Sequence, residues 1–195
     1  MIGQHAVFDA VRRGYHELEL ASNGEIMAYF NDIEPDVMVG HVSNIKGILF
    51  EQEVVKALNE QGMDAILFEA TNHPILDIAL MDDDEIAAEV QLKATDSVSY
   101  INETLAENPD TAIIVTSEVA DHLDSAMVID SGLDNEALTE AVVNALSDTA
   151  IHSIGDDMIS DAVSDGLADV VGESLLPIPI TPIGIIAALL GIPFL

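Results

Sequence analysis

Three polar side chains alternate with two apolar ones in Glu89-Val90-Gln91-Leu92-Lys93: a carboxylate, an amide and an ammonium. This alternation predicts a β-strand with Glu89, Gln91 and Lys93 on one face and Val90 and Leu92 on the other. Such a row adds little to packing. It suits a site that holds a divalent metal ion and a water molecule beside a phosphodiester. The plain alternative is a solvated strand face carrying a Glu–Lys pair. Lys93 draws attention because cations are scarce: the chain has five Lys plus Arg against 36 Asp plus Glu.

The flanking sequence supplies elements that would position this row. Ile48, Val54, Val55 and Leu58 recur at near-helical spacing across residues 44–58, with Ser43 or Asn44 as N-cap and Gln61-Gly62 as the end. A short strand-like run, Met63–Ala70, follows. Then come the turn Thr71-Asn72-His73-Pro74, a second strand over Ile75–Leu80 and a charged hairpin tip, Asp82-Asp83-Asp84. The Glu89–Lys93 strand returns from that tip. A helix is predicted from about Ser97 to Glu107, and Ala112–Thr116 reads as a buried strand. The predicted order is helix, strand, strand, strand, helix, strand.

Residues 44–119 in this order resemble the core of the PD-(D/E)XK nuclease superfamily. The family pattern has an acid on the first helix, an Asp on the second strand and an acid-x-Lys on the third. Glu51 matches the first position, Asp77 in His73-Pro74-Ile75-Leu76-Asp77 the second, and Gln91-Leu92-Lys93 the third. The last is similar to the Gln-x-Lys form of the Mrr-like branch. The resemblance covers under half of the chain. It implies a mixed α/β core and Mg²⁺- or Mn²⁺-dependent hydrolysis of nucleic acid.

In elementary terms, Mg²⁺ takes oxygen ligands in octahedral geometry and keeps several waters. Asp77 and the Gln91 side-chain oxygen supply two ligands in this reading. Glu51 holds a water or a second ion, and Glu89 stands in for the carboxylate that Gln91 replaces. Lys93 orients the attacking water or offsets charge on the phosphate. Gln91 is neutral where the family pattern has an acid, so a non-cleaving site is a second outcome of the same pattern. Each residue also has a structural reading. Asp77 would accept turn amides, and Glu51 would be a solvated helix acid with Val55 rather than a base one turn on. His73 reads as a turn residue.

A net charge of −31 opposes long-range attraction to a polyanion, and Arg12, Arg13, Lys46, Lys56 and Lys93 cannot build a long basic groove. Three accounts of the acidity compete: solubility in high salt, imitation of nucleic acid as a decoy, and a basic partner subunit. The absence of cysteine excludes disulfides, thiolate metal sites and a cysteine nucleophile. Aromatic residues make up 4% with no Trp, which argues against a base-stacking platform. No Walker-type phosphate loop or zinc-protease helix motif occurs.

Residues 1–43 carry weaker signals: a short helix over Val7–Val11, a strand over Glu25–Phe30, a break at Pro35, and Arg12-Arg13 paired with acids. Beyond the core, Ala126–Ile129 reads as an edge strand. Asp134-Asn135-Glu136 caps a helix bearing Leu138, Val142, Val143 and Leu146. A second amphipathic stretch carries Ile159, Val163, Leu167, Val170 and Val171 opposite a ladder of aspartates. After Glu173 no charge occurs, and Pro182 and Pro193 interrupt an apolar run too short for a clean membrane span. That tail has three readings: a plug on the protein's own core, a docking segment for a partner or a second copy, or a membrane contact.

The segments expected are therefore an N-terminal segment (1–43), a nuclease-like α/β core (44–132), amphipathic helices (133–173) and an apolar tail (174–195). The expected function is metal-dependent cleavage of nucleic-acid phosphodiesters. The rivals are a non-catalytic acidic interaction protein and a membrane-associated effector. Met1-Ile2-Gly3-Gln4-His5 lacks the basic-then-apolar order of a secretory leader, so the expected location is cytoplasmic.

Overall fold

The computed structural model describes residues 2–68, 76–83 and 85–147. The turn containing His73, the second amphipathic stretch and the apolar tail lie outside the described residues. The described chain is mixed α/β and falls into two compact units, residues 2–49 with 136–147, and residues 50–135.

The first unit is helical. Helix α1 (Gln4–Gly14) buries Val7, Phe8, Ala10 and Val11. A short 3-10 turn, His16–Leu18, leads to α2 (Asn23–Asn31), which buries Ile26 and Phe30. Here the strand expected over Glu25–Phe30 is corrected to a helix. Ser22 Oγ accepts from the Glu25 amide, and the Ser22 amide donates to Glu25 Oε2 at 2.8 Å. This reciprocal box satisfies two amides that a helix start otherwise leaves open. The break expected at Pro35 is also corrected, because Pro35 opens α3 (Pro35–Glu60). Proline suits the first helical position, where its missing N–H has no intrahelical partner to lose. Ser43 and Asn44 therefore lie inside α3 rather than capping it. Met38, Val42, Ile45 and Leu49 form its buried stripe in this unit.

Helix α6 (Asn135–Leu146) buries Leu138, Val142, Val143 and Leu146, as their spacing predicts. Its final turns group with the N-terminal helices, where Gln4 Nε2 donates to the Ala145 carbonyl at 3.5 Å.

The second unit holds a five-stranded sheet in the order β1-β2-β3-β4-β5. The last turns of α3 lead into it and end at Glu60, with Gly62 at a φ of 88°. Only glycine takes that conformation without a Cβ clash. Strands β1 (Asp64–Leu67), β2 (Ile78–Asp82) and β3 (Glu85–Lys93) pair antiparallel, and β4 (Ile113–Val115) and β5 (Val128–Asp130) continue the sheet in parallel. Asp83 turns the β2–β3 hairpin at a φ of 49°.

Helix α4 (Val98–Glu107), capped by Ser97, makes the crossover from β3 to β4, and the single turn α5 (Ser117–Ala120) the one from β4 to β5. Ile101 of α4 and Val119 of α5 pack with Ile113 and Val115 on one sheet face. Burying each such side chain contributes about 1.5–3 kcal/mol. At the β1 edge, the Asn59 amide accepts from the Ala65 N–H at 2.8 Å and donates to its carbonyl at 2.9 Å. This covers main-chain groups that an edge strand would otherwise offer to another chain.

Candidate functional site

The hairpin brings Asp77 to β3. The pair Ile78–Val90 is the last of the β2–β3 register, so Asp77, just before β2, lies against the stretch of β3 from Val90 to Leu92. The Asp77 N–H donates to the carbonyl of Val90, the residue already paired with Ile78, at 3.2 Å, so the regular ladder ends here and Asp77 is tied to β3 by an irregular step. Beyond it the ladder is completed by a side chain, as Asp77 Oδ2 accepts the Leu92 N–H at 2.7 Å. This is a charge-assisted bond to a strand amide. It fixes the carboxylate at the backbone between Gln91 and Lys93.

Gln91 is buried, with 6% of its surface exposed, and its Oε1 has no hydrogen-bond partner among the described residues. A buried carbonyl-type oxygen left unmet costs about 1–3 kcal/mol. Lys93, the last residue of β3, is half-buried. In register with them, Gln91 pairs with Ile113 and Lys93 with Val115, so both belong to the sheet face that α4 and α5 cover further along.

Since β2 runs antiparallel to β3, the start of β2 and the ends of β3 and β4 lie at one edge of the sheet. Ligands of open α/β sheets bind outside such carboxyl ends. The backbone there is held by Thr116, whose fully buried hydroxyl donates to the Thr95 carbonyl and ties the segment after β3 to the end of β4.

The other predicted residues stand apart from this pair in setting. Glu89 shares the Gln91 face but lies two residues back, roughly 7 Å along the strand. There it pairs with Ala79 and is exposed. Glu51 is half-buried on the part of α3 that belongs to the sheet unit. Among the described residues, no three His, Asp or Glu side chains converge closely enough to hold a metal ion. What the carboxyl edge offers a cation is the Asp77 carboxylate together with the unmet Gln91 oxygen. Both are hard oxygen donors, and two protein ligands with waters and phosphate oxygens completing the shell is a usual arrangement for Mg²⁺.

The sequence reading missed a second group of acids, Glu118, Asp130 and Asp134, near the ends of β4 and β5. Partial burial raises the Asp134 carboxyl above its ordinary range, with smaller contributions from Glu118 and Asp130. Asp130 Oδ1 accepts from Ser117 Oγ and from the Gly132 N–H, both at 2.8 Å. Those bonds shape the turn after β5, a structural role that Asp-x-Gly in a turn would have signalled. Arg12, expected to pair with acids, does so: it bonds Asp9 at 3.1 Å, the Ala21 carbonyl at 3.0 Å and Asn23.

Comparison with known proteins gives no relative: no family model, no curated protein and no solved structure matches the chain. No helix among the described residues is long and apolar enough to cross a membrane.

Proposed function

We propose that the protein is a metal-dependent hydrolase of nucleic-acid phosphodiesters whose site is the carboxyl edge formed by Asp77, Gln91 and Lys93. The observation that carries this reading is the buried Gln91 Oε1, without a hydrogen-bond partner among the described residues, next to a carboxylate anchored on the following residue of β3 and on the same strand face as the half-buried Lys93. A fold retains such an unmet oxygen where a ligand meets it in the working state. Asp77 and Gln91 would hold Mg²⁺ or Mn²⁺, which when bound supplies Lewis-acid polarisation of the phosphate.

The residues themselves have separable tasks. Asp77 is held in place by the Leu92 amide. Lys93 offers a positive charge to a phosphate oxygen as negative charge grows there. In the overall reaction a water oxygen forms a bond to phosphorus, and the bond from phosphorus to one sugar oxygen breaks. The attacking water gives up one proton to solvent, and that sugar oxygen takes one from it. Glu51 and Glu89 remain candidate auxiliary acids, for a water or a second ion.

The net charge of −31 favours one rival, a non-catalytic acidic protein that docks on a basic partner. Hydrolysis assays on single- and double-stranded DNA and RNA with Mg²⁺ or Mn²⁺ separate the two. The hydrolase reading expects metal-dependent cleavage that falls about 10²–10³-fold in Lys93→Ala, the scale of losing one charge-stabilising group. Absence of cleavage with every substrate and metal would leave the rival.

A further inference from the structure

The chain has five Lys and Arg side chains, and among the described residues all but Lys93 have partners. Arg12 is engaged by Asp9, Asn23 and the Ala21 carbonyl. Lys56 lies 3.6 Å from Glu53 on the next turn of the same helix. Arg13 and Lys46 also have partners. Lys93 alone has no hydrogen bond or ion pair among the described residues, although 36 Asp and Glu were available to the fold.

This count bears on what the site can hold. A surface that grips duplex DNA neutralises about 6–10 phosphates, and each contact needs a cation or an equivalent donor. Here one uncommitted cation faces a chain of net charge −31. Every phosphate beyond the first would meet carboxylates rather than lysines, and like charges repel. Resting on the hydrolase reading above, we propose that the carboxyl-edge site engages one phosphate at a time, at a strand end or in a short oligonucleotide, through Lys93. It does not bind a run of duplex phosphates.

The proposal sets a salt dependence. Neutralising one phosphate of a single strand gives a log–log slope of about −0.7, so tenfold more salt weakens binding about fivefold. A surface with 6–10 duplex contacts gives a slope of about −5 to −9 instead. Screening of the surrounding carboxylates works in the opposite direction and flattens the single-phosphate slope further.

The test uses the full chain with Mn²⁺, a 5′-phosphorylated thymidine trinucleotide and a long DNA duplex labelled at an end and internally, over a tenfold range of KCl. The expected result is kcat/KM for the trinucleotide within about fivefold of that per duplex end, products released from ends, and a slope no steeper than about −1. In Lys93→Ala the KM for the trinucleotide rises at least about tenfold and the slope goes to zero, while Lys93→Arg, which keeps the charge, retains the slope. Internal duplex cleavage with a slope near −5 or steeper overturns the single-phosphate proposal and leaves the hydrolase reading standing. A Lys93→Ala slope equal to that of the wild type also overturns it. No hydrolysis of either substrate overturns both.

Discussion

In the helical unit the polar side chains that reach the interior are answered. The Tyr15 hydroxyl bonds His41 Nδ1 at 2.7 Å, and Tyr15 sits edge-on to Phe30 with ring centres 5.5 Å apart. Arg12 is tied to three partners at once. In the sheet unit the carboxyl edge behaves otherwise. Among the described residues, Gln91 Oε1 is buried without a partner and Lys93 has no acid beside it. The first pattern is how a fold rigidifies a polar network. The second keeps an avoidable cost, and folds carry such costs mainly where a ligand later offsets them. The contrast is the ground on which we propose this edge as the site.

The largest expected effect is on catalysis. Lys93→Ala should lower cleavage about 10²–10³-fold while leaving the urea midpoint nearly unchanged, because the ammonium has no hydrogen bond or ion pair to lose among the described residues. A large drop in stability with unchanged cleavage would place Lys93 with Arg12 as a structural cation and remove the contrast.

Next comes Gln91→Leu, which replaces the unmet amide with an apolar side chain of similar size. The variant should be more stable by about 1–2 kcal/mol in urea denaturation, yet lose metal-dependent cleavage. Gain of stability with loss of activity is the signature of a site held at a cost to the fold. Destabilisation would mean that Gln91 has a partner in solution.

Tyr15→Phe provides the control from the helical unit. Removing the hydroxyl leaves His41 Nδ1 without its bond and should cost about 1 kcal/mol. Cleavage should stay at the wild-type rate. Burial raises the Tyr15 phenol above its ordinary range, so the wild type should also lose stability at alkaline pH. A phenol with a raised folded pKa contributes stability below its unfolded value and loses it as pH rises through the folded one, and the variant should lack this step. A thermal melt series across alkaline pH reads it directly.

The smallest effect concerns the capping box. Ser22→Ala should cost about 1 kcal/mol, the usual loss for an N-cap. The hydroxyl and amide of Ser22 lower the Glu25 carboxyl below its ordinary range. A depressed folded value contributes stability above the unfolded value, and this is lost as pH falls through the folded one. The Ser22→Ala variant should therefore show a shallower loss of thermal stability on acidification. Equal acid slopes in the two proteins would mean that the box does not form.

The parts of the molecule legible in sequence are those with one dominant local signal. Alternation in Glu89–Lys93 and the apolar Ala112–Thr116 run each sufficed for the element they mark. The region before α3 misled because Ile26, Ala28 and Phe30 alternate like a strand while Ser22-x-x-Glu25 is a capping box. Local hydrogen bonding decided against the alternation. Pro35 misled in the same way, since a proline breaks a helix only from inside it. At the site, the placement of Asp77 beside Gln91 and Lys93 followed from a short hairpin. That Asp77 accepts the Leu92 amide, and that Gln91 Oε1 is left unmet, depend on the register and on what covers the sheet. Neither is written in the residue types. The scarcity of bases was visible from the start, but only the partners of the other four set Lys93 apart.

The central claim is that Asp77 and Gln91 hold a divalent cation at the carboxyl edge. Calorimetric titration of Mn²⁺ into the full chain tests it most directly, with Asp77→Asn and Gln91→Leu as the two variants. Asp77→Asn keeps an acceptor for the Leu92 amide while removing the charge, so the local fold is preserved. The account predicts a single stoichiometric site in the wild type that weakens by about tenfold or more in each variant. Equal Mn²⁺ affinity in all three proteins would contradict it, because the binding would then belong to the diffuse acidic surface and not to this pair.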